Sequence, residues 1–409
     1  MNILLACFAK MVDDSGGLAK VTCAFAKEMY ERGHRVTLVY SDDKEGKFFF
    51  DVPQEVQCYN LHHYKGQHIL FPLSYKIKRE ILRAIDQRKG RAVNNEFTEK
   101  FLLDNVRDIL QEVKPDVIVA SQPAASKVLL SDLKINIPVI TMSHGDPEDY
   151  FHTYPVKELP SLGLSAACQV LMPSFVKAIK QRFPQERVEV IGNSVPQHDT
   201  PVDLSKIKSI YKIICIGRLN KNHKRPHLLI EAFAKLAKDF PNWQVELWGA
   251  EDKKKYTKKL RDIITKNDLA ERVFLKGTTN NVNDVLKQGD IFVFPSAYEG
   301  FGLTLAEAMS IGLPGIGYKN CSAVNELIQD GVNGLLADDG VDSLAEKMQQ
   351  LMGNQEMRAR FGKAAHEAMK QYDSAIIWDE WEKLILEVAA SKKIKYLKGA
   401  CFILGGNKL

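Results

Sequence analysis

Short apolar segments alternate along the chain with segments of helical periodicity, and this alternation restricts the fold more than any other feature. NILLACF (2–8) and RVTLVY (35–40) lie on either side of a helical pattern over 18–31. DVIVAS (116–121), IPVITMSH (137–144), CQVLMPS (168–174) and VEVIG (188–192) follow. Short apolar strands separated by helices are typical of a parallel sheet covered by helices on both faces.

The alternation starts again after the Pro-bearing segment NSVPQHDTPVDLS (193–205), which we interpret as a linker. The second set of predicted strands is IICIG (213–217), QVELWG (244–249), VFLKG (273–277), IFVFP (291–295) and LPGIGY (313–318). A chain of 409 residues is longer than one core usually fills. The sequence therefore predicts an α/β fold of two doubly wound domains, 1–195 and 196–373, followed by a helix at 374–390 and a tail at 391–409.

Composition is that of a soluble globular protein, with 45% hydrophobic and 26% charged residues. The seven cysteines are odd in number, scattered and never spaced C-x-x-C, which argues against a disulfide framework or a zinc ribbon and fits a reducing cytoplasm. No apolar run reaches the ~18 residues that a membrane-spanning helix needs.

The net charge of +5 is concentrated in the tail, which carries five lysines and no acid. A second basic stretch, 62–91, has eight Lys and Arg residues against Glu80 and Asp86, interleaved with aromatic and aliphatic residues. Such stretches are consistent with peripheral docking on an anionic membrane surface, here the inner face of the cell membrane. A solvated face and a frayed terminus are the alternative. Nucleic acid is disfavoured as a partner because no nucleic-acid motif accompanies the charge.

Glycines and cations follow two of the predicted strands, at the edge where open α/β sheets bind ligands. Gly16 and Gly17 stand between the first strand and its helix, where bare backbone N–H groups favour an anion. Arg218 comes directly after IICIG, and Lys224 lies six residues further on. Two cations at one strand exit suit a diphosphate, although each residue alone is as consistent with a solvated surface.

The stretch YEGFGLTLAEAM (298–309) leaves a predicted strand, turns at two glycines and starts a helix. The first N–H groups of that helix, near 302–304, have no intrahelical partner and suit a phosphate. Glu299 and Glu307 would be ~12 Å apart in a continuous helix, wider than the ~5 to 9.5 Å of a glycosidase carboxylate pair. Separate tasks are therefore predicted, with one carboxylate accepting hydrogen bonds from a ribose and the other from a sugar ring.

His144 ends the predicted strand IPVITMSH and precedes Gly145. A single histidine is most often structural. At the carboxyl end of a strand it can also donate a hydrogen bond to a ligand hydroxyl.

These residues together resemble the signature of retaining GT-B glycosyltransferases, the large family that includes sucrose synthases and bacterial phosphatidylinositol mannosyltransferases. The matching features are EGFGLTLAEAM with Glu-x7-Glu, the pair Gly16-Gly17, GRL with a lysine six residues beyond Arg218, and GLP followed by NEL and DGVNGLL (330–336). The family's usual Lys-Gly reads Lys224-Arg225 here. The resemblance implies two Rossmann-like domains that face a central crevice, with the helix at 374–390 crossing back onto the first.

The resemblance also assigns roles. Arg218 and Lys224 would neutralise the donor diphosphate, with helix-start amides from Gly302, Leu303 and Thr304. Glu307 would hold the ribose and Glu299 the transferred sugar. His144 would contact that sugar from the acceptor-side first domain. Gly16 and Gly17 would lie against the donor phosphate or the acceptor.

The predicted activity is transfer of a sugar from a nucleoside-diphosphate donor, with a UDP-sugar favoured, to a hydroxyl of a glycan or polyprenyl-linked acceptor in bacterial surface polysaccharide assembly. No cofactor is expected. No D-x-D occurs in the sequence, which disfavours metal-dependent transferases of the other common architecture. Front-face attack is preferred over a covalent Glu299 intermediate. The alternatives are a nucleotide-sugar epimerase or phosphorylase on the same fold and a non-catalytic membrane-surface scaffold. A nicotinamide oxidoreductase is disfavoured because no G-x-G-x-x-G follows the first strand.

Overall fold

The computed structural model describes the backbone of residues 1–404 and the side chains of residues 1–391. Within that part, the chain forms two compact units, one of residues 1–192 together with the chain from Ile377 onward, the other of residues 193–376. The predicted basic tail therefore lies outside the described side chains from Lys392 on. Among the described helices, none combines the length and apolarity needed to cross a membrane.

The first unit is built on a parallel sheet whose strand order is β3-β2-β1-β4-β5-β6-β7. Its strands are β1 Asn2–Cys7, β2 Arg35–Tyr40, β3 Gln57–Asn60, β4 Val117–Ala120, β5 Val139–Met142, β6 Ala167–Val170 and β7 Val188–Val190. Its helices before the linker are α1 Gly17–Glu31, α2 Leu73–Ile85, α3 Gln87–Phe97, α4 Leu103–Val113, α5 Pro123–Ser126, α6 Pro147–Thr153 and α7 Phe175–Arg182. Shorter π and 3-10 segments are Tyr64–Gly66, Thr98–Leu102, Lys127–Asp132 and Val156–Leu164.

The second unit repeats the architecture with strand order β10-β9-β8-β11-β12-β13. Its strands are β8 Tyr211–Ile216, β9 Trp243–Trp248, β10 Val273–Gly277, β11 Ile291–Val293, β12 Gly315–Tyr318 and β13 Gly334–Ala337. Its helices are α8 Pro226–Leu236, α9 Lys254–Lys266, α10 Val282–Lys287, α11 Leu303–Ile311, α12 Val324–Leu327, α13 Val341–Gly353 and α14 Gln355–Met369, followed by a 3-10 turn at Lys370–Tyr372. The predicted α/β class with two doubly wound parallel sheets is confirmed.

The central strands of both sheets are buried on their two faces, which explains the unbroken apolar runs. Strand β4 is buried at every position, and the central residues of β1 and β5 are equally inaccessible. On one face of the first sheet, Ile118 and Val139 pack in a cluster with Phe97, Val106 and other residues of α3 and α4. Alternation of polar and apolar residues is absent from these central strands because neither of their faces meets water.

The last helix, α15 (Ser374–Leu404), belongs to the first unit from Ile377 on. Trp378 and Trp381 pack edge-to-face on Phe25 of α1, with ring centroids 5.6 and 5.0 Å apart. Beside them, the Arg32 guanidinium pairs with Asp379 at 2.7 Å, and with Glu382 of the same helix. Residues from the two ends of the chain thus share one apolar contact inside the first unit.

The turn after β9 requires glycine. Gly249 has φ +146°, and a Cβ there would lie 2.1 Å from the carbonyl oxygen of Gly217 at the end of β8. The two segments stay close beyond the paired strands β8 and β9, since the Leu219 N–H donates to the Ala250 carbonyl oxygen at 2.9 Å, and only glycine permits this approach.

Candidate active site

Strands β8 and β11 are neighbours at the centre of the second sheet, paired through Ile213 and Ile291. From β8 the strand order proceeds to β9 and β10 on one side and from β11 to β12 and β13 on the other. Such a reversal is where open α/β sheets bind ligands, beyond the carboxyl ends of the strands. The predicted residues Arg218, Lys224 and Glu299 all follow these two strands.

Asn220 organises the loop after β8. Its side-chain oxygen accepts hydrogen bonds from the backbone N–H groups of His223 (3.1 Å) and Lys224 (2.8 Å). The Lys224 side chain packs back over the strand end, since a Cβ on Gly217 would lie 3.2 Å from its Cδ. The Ala297 N–H donates to the His223 carbonyl at 2.8 Å, which joins this loop to the one after β11.

Lys224 and Glu299 form an ion pair between the two loops, with Nζ donating to Oε1 at 2.5 Å. The Lys224 ammonium also lies 4.4 Å from the ring centroid of Phe294. His223 places Nε2 3.3 Å from the same carboxylate oxygen and stacks on Tyr298, with ring centroids 4.4 Å apart and planes 4° from parallel. The carboxylate therefore lies between a cation and an imidazole ring, and the imidazole is backed by Tyr298.

The ionisation of Glu299 is set by these neighbours. The residue is 8% exposed, and burial alone would raise its pKa. The charge of Lys224 and its hydrogen bond, with the His223 ring close by, outweigh burial and lower the pKa of Glu299 to about 2. The side chain is thus a carboxylate at neutral pH, able to accept hydrogen bonds but not to donate a proton.

Arg225 occupies the position where the family pattern has glycine. Its backbone adopts a conformation that favours glycine, which explains why glycine is usual there. Its φ is +47°, in the left-handed region, directly before Pro226 starts α8. The guanidinium compensates by donating to the carbonyl oxygens of Pro295 (3.0 Å) and Ser296 (3.2 Å) and by pairing with Asp339 at 2.9 Å. The substitution for glycine therefore adds a second connection between the two loops.

Helix α11 begins beside this ion pair. Gly302 precedes it with φ +83°, and the Thr304 hydroxyl donates to the carbonyl oxygen of Ile216 at 3.1 Å. This bond holds the amino end of α11 at the end of β8, where the first N–H groups of the helix favour an anion. Glu307 lies in the middle of α11 and is buried.

Arg218 follows Gly217 directly and is exposed. Within residues 1–391, no hydrogen bond or ion pair engages its guanidinium. Arg218 thus differs from Lys224, whose charge is already balanced by Glu299.

The remaining predicted residues lie in the first unit. His144 follows β5; its backbone N–H donates to the Tyr150 hydroxyl at 3.0 Å, and its Nε2 has no hydrogen-bond partner in the described part of the chain. Burial lowers the pKa of His144 to about 4, so its imidazole is neutral at pH 7. Gly17 starts α1, and the N–H of Gly16 donates to Asp14 Oδ1 at 2.8 Å. The Gly16 amide is therefore engaged by a carboxylate, whereas the sequence predicted a ligand contact there.

An open cavity of about 250 Å³ lies within the first unit. It is lined by Phe8, directly after β1, and by Gln122, two residues after β4, and β1 and β4 are the adjacent strands at which the order of the first sheet reverses. Arg91 and Tyr154 also line it, with the guanidinium carbon 4.3 Å from the ring centroid of Tyr154. Buried Glu158 accepts a hydrogen bond from the Asn95 amide at 2.6 Å, and burial raises the pKa of Glu158. Amides, a cation and an aromatic ring suit a ligand that carries hydroxyl groups.

The sequence prediction missed several of these participants. His223 and Tyr298 directly precede Lys224 and Glu299, and Phe294 lies in the predicted strand IFVFP. Asn220 opens a polar loop, which is the signal for a side-chain-supported turn. Nothing in the sequence links Arg91, Gln122 and Tyr154. Within the described residues, no group of three or more His, Cys, Asp and Glu side chains could hold a metal ion.

Residues 197–368 match the family model of glycosyl transferases group 1. The chain is 28% identical over 188 residues to the poly(glycerol-phosphate) alpha-glucosyltransferase of Bacillus subtilis, a match that covers 45% of this chain and 27% of that enzyme. Across three curated relatives, this enzyme included, the chain spans only 21% to 43% of their length.

Two solved structures share the fold over almost the whole chain. The Staphylococcus aureus TarM mutant, solved with Fondaparinux, alpha-GlcNAc-glycerol and UDP, superposes with a TM-score of 0.72 at 18% identity, covering 94% of this chain and 99% of TarM. Anabaena HepE in complex with UDP and glucose gives 0.67 at 18% identity, covering 95% and 100%. The chain therefore has the GT-B fold, and its residues 197–368 match the glycosyl transferases group 1 family.

Proposed function

We propose that the chain is a metal-independent retaining hexosyltransferase that moves a sugar from a nucleoside-diphosphate donor, with a UDP-sugar favoured, to an acceptor hydroxyl. One observation carries the proposal: the Lys224–Glu299 ion pair lies between the exits of β8 and β11, beside the amino end of α11. A cation, a carboxylate and free helix-start amides at one place match the diphosphate and the hydroxyls of such a donor.

The donor would be held in two parts. Arg218, Lys224 and the amides of 302–304 would bind the diphosphate, and Glu307 the ribose. Glu299 would accept hydrogen bonds from hydroxyls of the transferred sugar, which its low pKa permits because it is ionised at any physiological pH. The presence of UDP in the TarM and HepE structures supports a uridine nucleotide here.

Transfer would break the bond between the anomeric carbon and the donor phosphate. Negative charge then develops on the leaving diphosphate, and Arg218, Lys224 and the start of α11 stabilise it without a metal ion or other cofactor. In front-face attack, an oxygen of the leaving phosphate takes the proton of the acceptor hydroxyl as the new glycosidic bond forms on the same face. Neutral His144 would donate a hydrogen bond to the sugar.

The acceptor would be a glycan or a polyprenyl-linked sugar, bound by the first unit. The 250 Å³ cavity supports this placement because it is smaller than the ~300 Å³ typical of drug-sized sites and suits a single sugar ring. The match to a poly(glycerol-phosphate) glucosyltransferase supports a role in bacterial surface polysaccharide assembly. The enzyme would act in the cytoplasm, peripheral on the inner face of the cell membrane.

A transfer assay tests the proposal. The full chain is incubated with UDP-glucose, UDP-galactose or UDP-N-acetylglucosamine and a polyprenyl-diphosphate-linked acceptor, and the product is analysed by mass spectrometry and by proton NMR of the new anomeric centre. We expect one donor to give a product with the α configuration of the donor, and Glu299→Gln to give almost none. A β product would refute retention, and conversion of the UDP-sugar to its epimer without acceptor would indicate an epimerase.

A further inference from the structure

We infer that His223 positions Glu299 for the proposed transfer reaction. The Nε2–H of its imidazole holds one oxygen of the Glu299 carboxylate, so that the other oxygen is presented to hydroxyls of the transferred sugar. His223 is a positioning residue in this role, because it acts on the sugar only through Glu299. The inference rests on the proposed function and deepens it, since the resemblance to the family assigns no role to His223.

The Nε2 atom of His223 is buried without a partner. The side chain is 31% exposed, yet Nε2 is enclosed and makes no hydrogen bond within residues 1–391. Oε1 of Glu299 lies 3.3 Å from it. A buried polar atom without a hydrogen bond is unfavourable, and such contacts in unliganded active sites often become aligned only when the substrate binds. Because a carboxylate oxygen can only accept, we expect Nε2 to carry the hydrogen and to donate it to Oε1 in the donor complex.

The described contacts of the Glu299 carboxylate involve one oxygen. Lys224 Nζ donates to Oε1 at 2.5 Å, and His223 faces that atom too. In the part of the chain with described side chains, no hydrogen bond or ion pair engages Oε2. Lys224 carries its charge on a flexible stem, whereas the imidazole is rigid, so His223 is the neighbour that can fix the direction of the carboxylate. Oε2 then remains to accept hydrogen bonds from the sugar.

His223 is itself held in place by both loops. Its backbone N–H donates to the Asn220 side-chain oxygen at 3.1 Å, and its carbonyl oxygen accepts from the Ala297 N–H at 2.8 Å. Tyr298 covers one face of the ring, with centroids 4.4 Å apart and planes 4° from parallel. Groups at a functional site must be held to within about 0.5 Å by neighbours whose own side chains are locked. The two loops therefore hold the imidazole where it can restrain Glu299.

A packing role is the alternative for His223. In that case the ring serves only to support Tyr298, whose side chain is 53% exposed. Packing requires the flat shape of the ring and not its nitrogen, whereas positioning requires the N–H and not the ring. The two roles therefore predict opposite rankings for two substitutions of the same residue.

Steady-state kinetics on two variants of the full chain separate these roles. His223→Phe keeps a flat ring and removes the N–H, whereas His223→Gln keeps an N–H donor and removes the ring. With the donor and acceptor that are active in the transfer assay, we expect His223→Phe to lower kcat about tenfold and to leave the KM for the UDP-sugar within about twofold, because a misplaced carboxylate weakens the transition state more than the ground state. His223→Gln should retain about half of the parent kcat.

UDP binding and a matched control complete the experiment. UDP has no sugar for Glu299 to hold, so its Kd, measured by titration calorimetry, should be the same for the parent chain and both variants. The control is His227→Phe. His227 also contacts a tyrosine, with Nδ1 2.7 Å from the Tyr256 hydroxyl, but it lies on α8 and no described contact joins it to Glu299. Its kcat and Kd should match those of the parent chain.

Three results with an active parent chain would overturn the inference: parent-like kcat in His223→Phe, a kcat in His223→Gln as low as in His223→Phe, or weaker UDP binding in both variants. If His223→Phe does not fold, Tyr298→Leu replaces it. Loss of the stacked ring should lower kcat about threefold at unchanged UDP affinity, and an unchanged kcat would contradict the inference. A parent chain that transfers no sugar would instead refute the proposed function, together with this inference.

Discussion

The strand exits of the two units differ in how their polar side chains are held. In the second unit, Lys224 donates to Glu299 at 2.5 Å, and His223 Nε2 lies 3.3 Å from the same carboxylate oxygen. In the first, Nε2 of His144 has no hydrogen-bond partner among the described residues, and the nearby strands open into a cavity. One unit thus holds an ion pair at its strand exits, whereas the other leaves a neutral imidazole nitrogen without a partner among the described residues.

Breaking the ion pair is the strongest test of this difference. We expect Glu299→Gln to lower kcat about 10²- to 10³-fold, by loss of sugar positioning beside the reacting bond. Lys224→Met should lower the free energy of unfolding by about 3–5 kcal/mol because it leaves a buried carboxylate without a cation. The double variant should regain most of that stability and none of the activity. Urea denaturation and steady-state kinetics on all four proteins measure both, and additive stability losses would contradict the coupling.

The pH dependence that Glu299 gives to the free energy of unfolding should be the next largest effect. Its pKa is about 2 in the folded chain against an ordinary value of 4.5, so its contribution to stability is complete above pH 4.5 and is lost as the pH falls toward 2. The difference in unfolding free energy between parent and Glu299→Gln should therefore shrink by about 3 kcal/mol across that window. A difference that does not change with pH would mean that the carboxylate is not held by Lys224.

His144 should affect the free energy of unfolding in a different pH window. Its folded pKa of about 4 is below its ordinary 6.5, so the unfolded chain binds the proton first and stability falls as the pH falls from 6.5 to 4. His144→Asn should remove up to about 3 kcal/mol of this dependence, and less to the extent that the half-buried ring is solvated. Unfolding curves at several pH values measure it. An identical pH profile in the variant would show that the ring is not buried in its neutral form.

Replacing Arg218 should weaken binding of the donor without destabilising the fold. Because its guanidinium is exposed and unpaired within the described residues, Arg218→Ala should change the unfolding free energy by less than about 0.5 kcal/mol. Loss of a charged contact to the diphosphate should raise the KM for the UDP-sugar about tenfold. Unchanged KM and kcat would remove Arg218 from the donor site.

Arg225 should give the smallest effect. Arg225→Gly relieves the left-handed backbone, worth about 1 kcal/mol, while it loses the contacts to Pro295, Ser296 and Asp339, so the two changes nearly cancel. Arg225→Ala loses the contacts and keeps the strain, and thermal denaturation should place it below the glycine variant. The reverse order would mean that the strain is negligible.

The sequence predicted the strands with unbroken apolar runs to within a few residues, because buried parallel strands carry a strong local signal. It missed β3, whose QCYN sequence is polar and partly exposed at a sheet edge, and β13, whose four residues GLLA follow a turn. At the site, the sequence predicts separate tasks for Lys224 and Glu299. Their contact joins positions 75 residues apart in the chain and depends on the pairing of β8 with β11, which no local pattern encodes.

The contact of Phe25 with Trp378 and Trp381 has a consequence for synthesis of the chain on the ribosome. The 184 residues from 193 to 376 must be translated before α15 emerges, which takes about 10 to 40 s at ordinary elongation rates. During that interval the nascent first unit exposes the apolar face of α1 around Phe25. The second unit can complete its own core first, so the half of the protein made earlier is the half that finishes folding last.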